Sequence, residues 1–257
     1  MRSVEAVLFG VFGLVFGSFL TVLVHRTPRR ESVVGGRSRC PACHATVGAR
    51  DNVPVLSWML LRGRCRNCGE RISFEYPLTE LASAAVFVGA AVAFRDLYLA
   101  AVMAVFLAIL LALALIDLRH KILPNAIVYP SLVVFALALG AGAAIGRHVE
   151  LSTAGLGLLV FGGALLTVAV IAEGSMGMGD VKLAALIGLV LGSQGLRDVG
   201  VAAGVAILSA GVGGVAALAA GQSRKSAIPF GPYLVIGAIA ATFWGASLAR
   251  AYLWLVR

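Results

Sequence analysis

Long apolar runs separated by short polar segments dominate the chain. Eight of these runs approach the roughly 20 residues that cross a bilayer as an α-helix, and the sixth is the shortest. They are Val4–Val24, Pro77–Phe94, Leu97–Ile116, Pro124–Ile145, Leu151–Ala172, Val181–Gly192, Val199–Ala220 and Pro232–Leu255. The pattern predicts an all-α polytopic membrane protein with about eight transmembrane helices.

Composition supports this fold class. Of the 257 residues, 60% are hydrophobic and 13% are charged, and the mean hydropathy is +0.96. Soluble domains carry about a quarter charged residues, so a soluble protein is excluded. The net charge of +9 is explained by basic residues that flank membrane spans. We therefore predict the lipid bilayer as a partner and no nucleic-acid partner.

The distribution of basic residues predicts the orientation of the bundle. The long polar loop 25–76 and the gaps on its side of the membrane carry 15 of the 21 lysines and arginines. By the positive-inside rule, this loop lies in the cytoplasm and both termini lie outside. Asp117, Glu173 and Asp180 then reach the inner face, although acidic residues played no part in the count. The predicted location is therefore the cytoplasmic membrane.

The same pattern divides the chain into three regions. Residues 1–24 are predicted to form the first transmembrane helix, 25–76 a cytoplasmic loop domain and 77–257 a multi-helix membrane domain. The first run is too long for a cleavable signal, and its positive charges follow it. Gly13 and Gly17 are spaced for close helix packing.

All four cysteines lie in the loop, in two C-x-x-C pairs. They are Cys40, Cys43, Cys65 and Cys68. Two such turns can place four thiolates around one tetrahedral zinc ion, and a four-sulfur site of this kind is structural because no ligand position is open. The pattern predicts bound zinc that stabilises a loop too small to form a large core.

Other interpretations of the cysteine loop remain open. Two disulfides or four plain thiols are the alternatives, and a reducing cytoplasm argues against disulfides. His44 follows Cys43 and could replace one thiolate, but we expect it to be an exposed loop residue.

Asp117 and Asp180 sit at the ends of apolar runs, where a carboxylate is costly and indicates function. Two carboxylates that can meet suggest acid/base chemistry, because one keeps a proton while the other is ionised. A helix cap or an ion pair with Arg119 or Lys182 is the structural alternative. A proton-relaying transporter and a zinc-loop membrane scaffold are competing functions. Relays are expected near the midplane, so a position at a span end favours an enzyme.

Short motifs along nearly the whole chain make it similar to the type IV prepilin peptidase family. These motifs are Gly17-Ser18-Phe19-Leu20, Asn52-Val53-Pro54-Val55, Tyr76-Pro77-Leu78-Thr79-Glu80, Ile116-Asp117-Leu118-Arg119, Leu123-Pro124-Asn125, Gly177-Met178-Gly179-Asp180-Val181-Lys182 and Ile228-Pro229-Phe230-Gly231-Pro232, together with both cysteine pairs. Two positions depart from the family pattern: Thr21 stands where Asn is usual, and Asn125 stands where Asp is frequent.

The resemblance implies a membrane aspartic endopeptidase with Asp117 and Asp180 as catalytic residues. The family cuts short basic leaders from type IV prepilins and pseudopilins, which serve pili and type II secretion. Many members then methylate the new N-terminus from S-adenosylmethionine, so this activity and cofactor are expected by resemblance alone. The sequence predicts neither the particular pilin nor the oligomeric state.

Six further residues are candidates for contact with the substrate. Gly177 and Gly179 remove side-chain bulk and would let a peptide backbone approach closely. Glu173 could tune the dyad or bind the basic leader, although a solvated helix end is the simpler interpretation. Pro229, Phe230 and Gly231 could line a groove, or Pro229 and its neighbours could simply begin the last helix.

Overall fold

A computed structural model of the chain describes residues 2–33, 35, 38–171, 176–221 and 229–255. In this part of the chain, the secondary structure is helical, and it contains no strand apart from two isolated β-bridges. The predicted all-α fold is confirmed.

The described residues form nine α-helices. They are α1 (Arg2–Arg26), α2 (Leu56–Leu60), α3 (Glu75–Ala93), α4 (Leu97–His120), α5 (Asn125–Ala144), α6 (Leu151–Ile171), α7 (Met178–Gly192), α8 (Leu196–Ala219) and α9 (Gly231–Leu255). Seven of them, all except α2 and α7, are long and apolar enough to cross a membrane. Helix α7 has 15 residues, which is short for a span.

The eight predicted apolar runs correspond to α1 and α3 to α9. The largest difference lies at the end of α4. The predicted apolar run ends at Ile116, whereas the helix continues to His120. The last turn of α4 is polar and includes Asp117 and Arg119. It remains helical because polar residues can adopt the helical backbone conformation after the apolar run has ended. Hydropathy alone therefore places Asp117 after a span, whereas it lies within the helix.

The chain divides into two compact units, residues 1–112 and 113–257, and the boundary falls inside α4. In the first unit, α1 packs closely on α3. A Cβ atom on Gly13 would lie 2.7 Å from the Ala84 Cα, and one on Gly17 would lie 2.6 Å from the Glu80 Cα. The prediction that this glycine pair serves close helix packing is confirmed.

In the second unit, α7 is the central helix and contacts α5, α6, α8 and α9. Ten of its residues are buried. Its close approach to α6 depends on glycines, because a Cβ on Gly192 would lie 2.6 Å from the Thr153 carbonyl oxygen. Since α7 is held on several sides, its N-terminal turn, which carries Asp180, has a fixed position in this unit.

Candidate active site and four-cysteine cluster

Asp117 lies in the last turn of α4 and is 5% exposed. Its Oδ2 atom accepts a hydrogen bond of 3.0 Å from the backbone N–H of Gly231. Gly231 is the first residue of α9, so the unpaired N–H groups and positive dipole end of that helix face the carboxylate. The structure therefore brings together two residues that the sequence analysis named for separate roles.

Gly231 leaves no room for a side chain at this contact. A Cβ atom there would lie 2.6 Å from Oδ2 of Asp117 and 3.2 Å from its Cγ. The glycine thus permits the backbone of α9 to reach the carboxylate directly.

Asp180 lies in the first turn of α7 and is partly buried. Its backbone N–H donates to the Gly177 carbonyl at 3.0 Å. The residue lies outside the seven candidate spans. Burial, followed by the negative charge of Asp117, raises the pKa of Asp180 to about 6. The charge of Asp117 thus contributes to the raised pKa of Asp180, while a catalytic role for the two carboxyl groups stays a prediction.

The two glycines before Asp180 have different surroundings. Gly177 is exposed and precedes α7, and a Cβ there would lie 3.4 Å from Oδ2 of Asp180, an ordinary contact distance. A Cβ on Gly179 would lie 2.9 Å from the Cβ of Leu123. Gly179 therefore has a packing function against the α4–α5 connection, while contact of either glycine with substrate stays a prediction.

The remaining substrate candidates are only partly described. Pro229 and Phe230 are partly buried immediately before α9, and the Phe230 ring lies 6.5 Å from that of Tyr233. Glu173 lies outside the described residues. A groove formed by these residues stays a prediction.

Lys182 has a neighbour that sequence reasoning missed. Its Nζ donates a 3.0 Å hydrogen bond to Oδ1 of Asn125 and lies 4.9 Å from the centre of the Tyr129 ring. Asn125 was noted only as a departure from the family motif. The contact shows that the side chain of Asn125, the first residue of α5, meets that of Lys182 near the start of α7. The Lys182 side chain is therefore directed towards α5.

The two C-x-x-C segments have the same backbone geometry. In each, the residue after the second cysteine donates its N–H to the carbonyl of the first cysteine, His44 to Cys40 and Gly69 to Cys65, both at 2.9 Å. Both donors have positive φ angles, 56° for His44 and 74° for Gly69. His44 is exposed and forms the turn, and its imidazole is not part of the ligand cluster.

The four sulfur atoms converge on one point. The Sγ atoms all lie within 4.8 Å of one another, with 3.8 Å between Cys40 and Cys68 and 4.0 Å between Cys43 and Cys65. Zn–S bonds of about 2.3 Å in a tetrahedron place sulfurs about 3.8 Å apart. All four cysteines are free and no disulfide joins any two of them, so the cluster fits a metal ion.

Local interactions affect this cluster. The backbone N–H groups of Cys43 and then Ala42 lower the pKa of the Cys40 thiol to about 7, which favours the thiolate. The backbone N–H of Glu70 lowers the pKa of Cys68, but burial and the neighbouring cysteines outweigh it and raise that pKa to about 12, so the four thiols are not equally ready to ionise. Arg66, inside the second C-x-x-C, forms a bidentate ion pair with Asp51, with the shortest N–O distance 2.6 Å. Hydrogen bonding to Arg66 lowers the pKa of Asp51.

Two family models match the chain in succession. The bacterial peptidase A24 N-terminal domain matches residues 11–94, and the type IV leader peptidase family matches residues 104–249. No solved structure matches the chain significantly.

Characterised relatives match over nearly the full length. A prepilin leader peptidase/N-methyltransferase of Bacillus subtilis is 34% identical over 95% of this chain and 96% of its own. One from Aeromonas hydrophila is 35% identical over 95% and 92%. A type 4 prepilin-like proteins leader peptide-processing enzyme of Escherichia coli is 33% identical over 92% and 93%. The chain belongs to the type IV leader peptidase family.

Proposed function

We propose that this protein is a membrane aspartic endopeptidase that removes the basic leader from type IV prepilins or pseudopilins. The observation that carries the proposal is the buried Asp117 carboxylate held by the N-terminus of α9, and the raised pKa of Asp180 in the first turn of α7 supports it. Family membership supplies the substrate class, because the relatives of Bacillus subtilis and Aeromonas hydrophila are named prepilin leader peptidases.

In the proposed mechanism, the two aspartates share one proton. The ionised carboxylate takes a proton from water, and the water oxygen attacks the scissile carbonyl carbon while the protonated carboxyl group donates to the carbonyl oxygen. The tetrahedral intermediate then collapses and the C–N bond breaks: the aspartate that took the water proton gives it to the leaving amine, and the other aspartate takes back the proton from the intermediate's hydroxyl group, which restores the shared-proton state. The N–H of Gly231 donates to Oδ2 of Asp117, which leaves Oδ1 for the water in this mechanism.

The cleavage site is proposed to face the cytoplasm of the bacterial inner membrane. The excess of basic residues on the side of the cysteine loop supports this orientation. Asp117 and Asp180 belong to the same side because an odd number of apolar runs precedes each of them. The leader of a prepilin is basic and would remain in the cytoplasm by the same rule.

Zinc is the proposed metal of the four-cysteine cluster. The convergence of four sulfurs at tetrahedral spacing supports it. Cys40, Cys43, Cys65 and Cys68 would hold the ion and fill its coordination sphere, leaving no position for water. The ion would therefore supply folding free energy to the loop, while peptide hydrolysis belongs to the aspartates.

N-methylation of the processed pilin is the second proposed activity. It rests on the names of the Bacillus subtilis and Aeromonas hydrophila relatives, which include N-methyltransferase. S-adenosylmethionine would supply the methyl group to the new N-terminal amine.

One experiment tests both activities. The purified full-length protein in lipid nanodiscs is incubated with a prepilin from the same genome and S-adenosylmethionine, and the products are analysed by mass spectrometry. We expect cleavage at the junction of leader and apolar segment, with one added methyl group on the mature N-terminus. Intact prepilin after incubation with folded protein would contradict the peptidase proposal, and complete cleavage without methylation would contradict the second activity.

A further inference from the structure

A rigid cleft lies in the first unit, between α2 and the segment that precedes α3. Three hydrogen bonds build it: Gly63 N–H to the Trp58 carbonyl at 2.8 Å, Ile72 N–H to the Gly63 carbonyl at 2.7 Å, and Trp58 Nε1–H to the Ile72 carbonyl at 3.1 Å. Gly63 has a φ of 65°, and a Cβ there would lie 2.8 Å from the indole of Trp58. These hydrogen bonds hold the backbone at Gly63 and Ile72 against the indole ring of Trp58.

The lining of this cleft combines arginines with aromatic rings. Its volume is about 540 Å³, and its side chains include Arg62, Arg64 and Arg71 beside Trp58 and Phe74. The two aromatic rings meet edge to face with centroids 5.5 Å apart. No acidic side chain lines it. Such a surface favours an anionic ligand that carries an apolar portion.

Two of the arginines are available to a ligand. The guanidinium groups of Arg62 and Arg71 make no ion pair or side-chain hydrogen bond within the described part of the chain, and both residues are exposed. By contrast, the guanidinium of Arg66 in the same loop is engaged with Asp51. The cleft therefore presents uncompensated positive charge.

Helix α2 carries an apolar face in the same region. Leu56, Met59 and Leu60 are 54%, 62% and 74% exposed, and their i, i+3 and i+4 spacing puts them on one side of the helix. Phe74 is 59% exposed and immediately precedes α3, which begins at Glu75 and is a candidate span. The apolar face of α2 and the cleft to which Trp58 contributes lie on different sides of this short helix, and both precede a helix that is long and apolar enough to cross the bilayer.

We propose that the α2 face and the arginine cleft form an interfacial anchor that binds the anionic phospholipids of the adjoining leaflet. Arg62 and Arg71 would bind lipid phosphates, and Leu56, Met59 and Leu60 would insert among the upper acyl groups. The positive charge selects anionic over zwitterionic lipid, and the exposed apolar residues match an amphipathic segment lying in the interface. The anchor would hold the four-cysteine loop against the membrane.

Trp58 is a built-in probe for this contact. The chain has three tryptophans, so replacing Trp244 and Trp254 with Phe leaves only Trp58. The full-length W244F/W254F protein is placed in nanodiscs of phosphatidylglycerol and phosphatidylcholine in which one lipid or the other is brominated near the headgroup end of its acyl chains. We expect Trp58 to be quenched by both lipids, and more strongly by brominated phosphatidylglycerol at equal mole fraction.

Matched variants distinguish lipid binding by the cleft from attraction of anionic lipid by the overall positive charge of the loop. R62Q/R71Q should abolish the preference for phosphatidylglycerol, whereas R39Q/R50Q, which removes two charges elsewhere in the same loop, should retain it. L56S/L60S should reduce quenching by both lipids. Circular dichroism and gel filtration establish that each variant is folded.

Three results would overturn the proposal. The first is Trp58 fluorescence that neither brominated lipid quenches. The second is a preference for phosphatidylglycerol that survives in R62Q/R71Q or is lost equally in R39Q/R50Q. The third is absent lipid quenching together with a saturable fluorescence response to inorganic phosphate in detergent, which would make a free anion the ligand.

Discussion

The backbone N–H of Gly231 donates a 3.0 Å hydrogen bond to Oδ2 of Asp117, a residue 114 positions earlier in the chain. This contact joins the start of α9 to the end of α4. It fixes one oxygen of the carboxylate and, with it, the direction in which the other oxygen points. The contact brings the aspartate motif and the Pro-Phe-Gly-Pro motif of this chain together.

Replacing Gly231 with Ala should therefore displace the Asp117 carboxylate. The added Cβ would lie 2.6 Å from Oδ2, and a shift of about 1 Å can cost about 100-fold in rate. We expect kcat/KM for prepilin cleavage to fall by at least about tenfold. The control is Gly204→Ala in α8, where the structure gives a Cβ no neighbour within 4 Å. Equal activity of the two variants would refute this positioning role.

The purified protein should contain about one zinc ion per chain, since the four sulfurs form one closed site. Cys40→Ser should lose the ion and make the loop 25–76 sensitive to proteases, as measured by elemental analysis and limited proteolysis. His44→Ala should keep the ion because His44 forms the turn rather than a ligand. Stoichiometric zinc in Cys40→Ser would show that the cluster is misassigned.

Asp180→Asn should stabilise the protein near neutral pH. The folded-state pKa of Asp180 is raised from 3.8 to about 6, so the folded protein loses stability as the pH rises through that range and Asp180 ionises. Removing the charge should raise the melting temperature by a few degrees at about pH 7.5, and by less at about pH 4.5.

The control for this stability test is Asp198→Asn. Asp198 is 9% exposed and pairs with Arg197, so its replacement should lower the melting temperature at neutral pH. If Asp180→Asn lowered the melting temperature, or shifted it equally at both pH values, this would contradict the claim that ionised Asp180 destabilises the folded protein.

The orientation can be tested with tags at Gly48, in the exposed loop, and at the two termini. If α7 crosses the membrane despite its 15 residues, both termini should be accessible from outside and the Gly48 tag only from the cytoplasm. We expect this orientation because basic residues are in excess on the side of the loop. Termini on opposite sides of the membrane would show that α7 does not cross it. A Gly48 tag accessible from outside would show that the proposed orientation is inverted.

Hydrophobic pattern predicted the helices well because each apolar run is long and the membrane requires internal hydrogen bonding. The largest error, at the end of α4, arose because a polar last turn has no hydropathic signal. Cysteine spacing predicted the four-sulfur cluster because a C-x-x-C turn already determines where two thiolates point. These are local properties that a short segment specifies by itself.

Contacts between distant segments were not predictable in the same way. The Gly231–Asp117 bond and the Lys182–Asn125 bond depend on how whole helices pack, which the individual motifs do not specify. Helix α2 was missed because its five residues are too few for a periodic signal. Its exposed apolar face becomes evident only when Leu56, Met59 and Leu60 are seen to lack packing partners.

In the proposed mechanism, Asp117 and Asp180 act as one catalytic unit. The direct test measures kcat/KM for prepilin cleavage by Asp117→Asn, Asp180→Asn and the double variant in the same nanodiscs, with insertion and zinc content as controls. We expect each single variant to lose at least about 100-fold, and the double variant to be no worse than either single one, because partners in a unit are non-additive. Near-normal cleavage by either single variant, or losses that multiply in the double variant, would contradict the dyad.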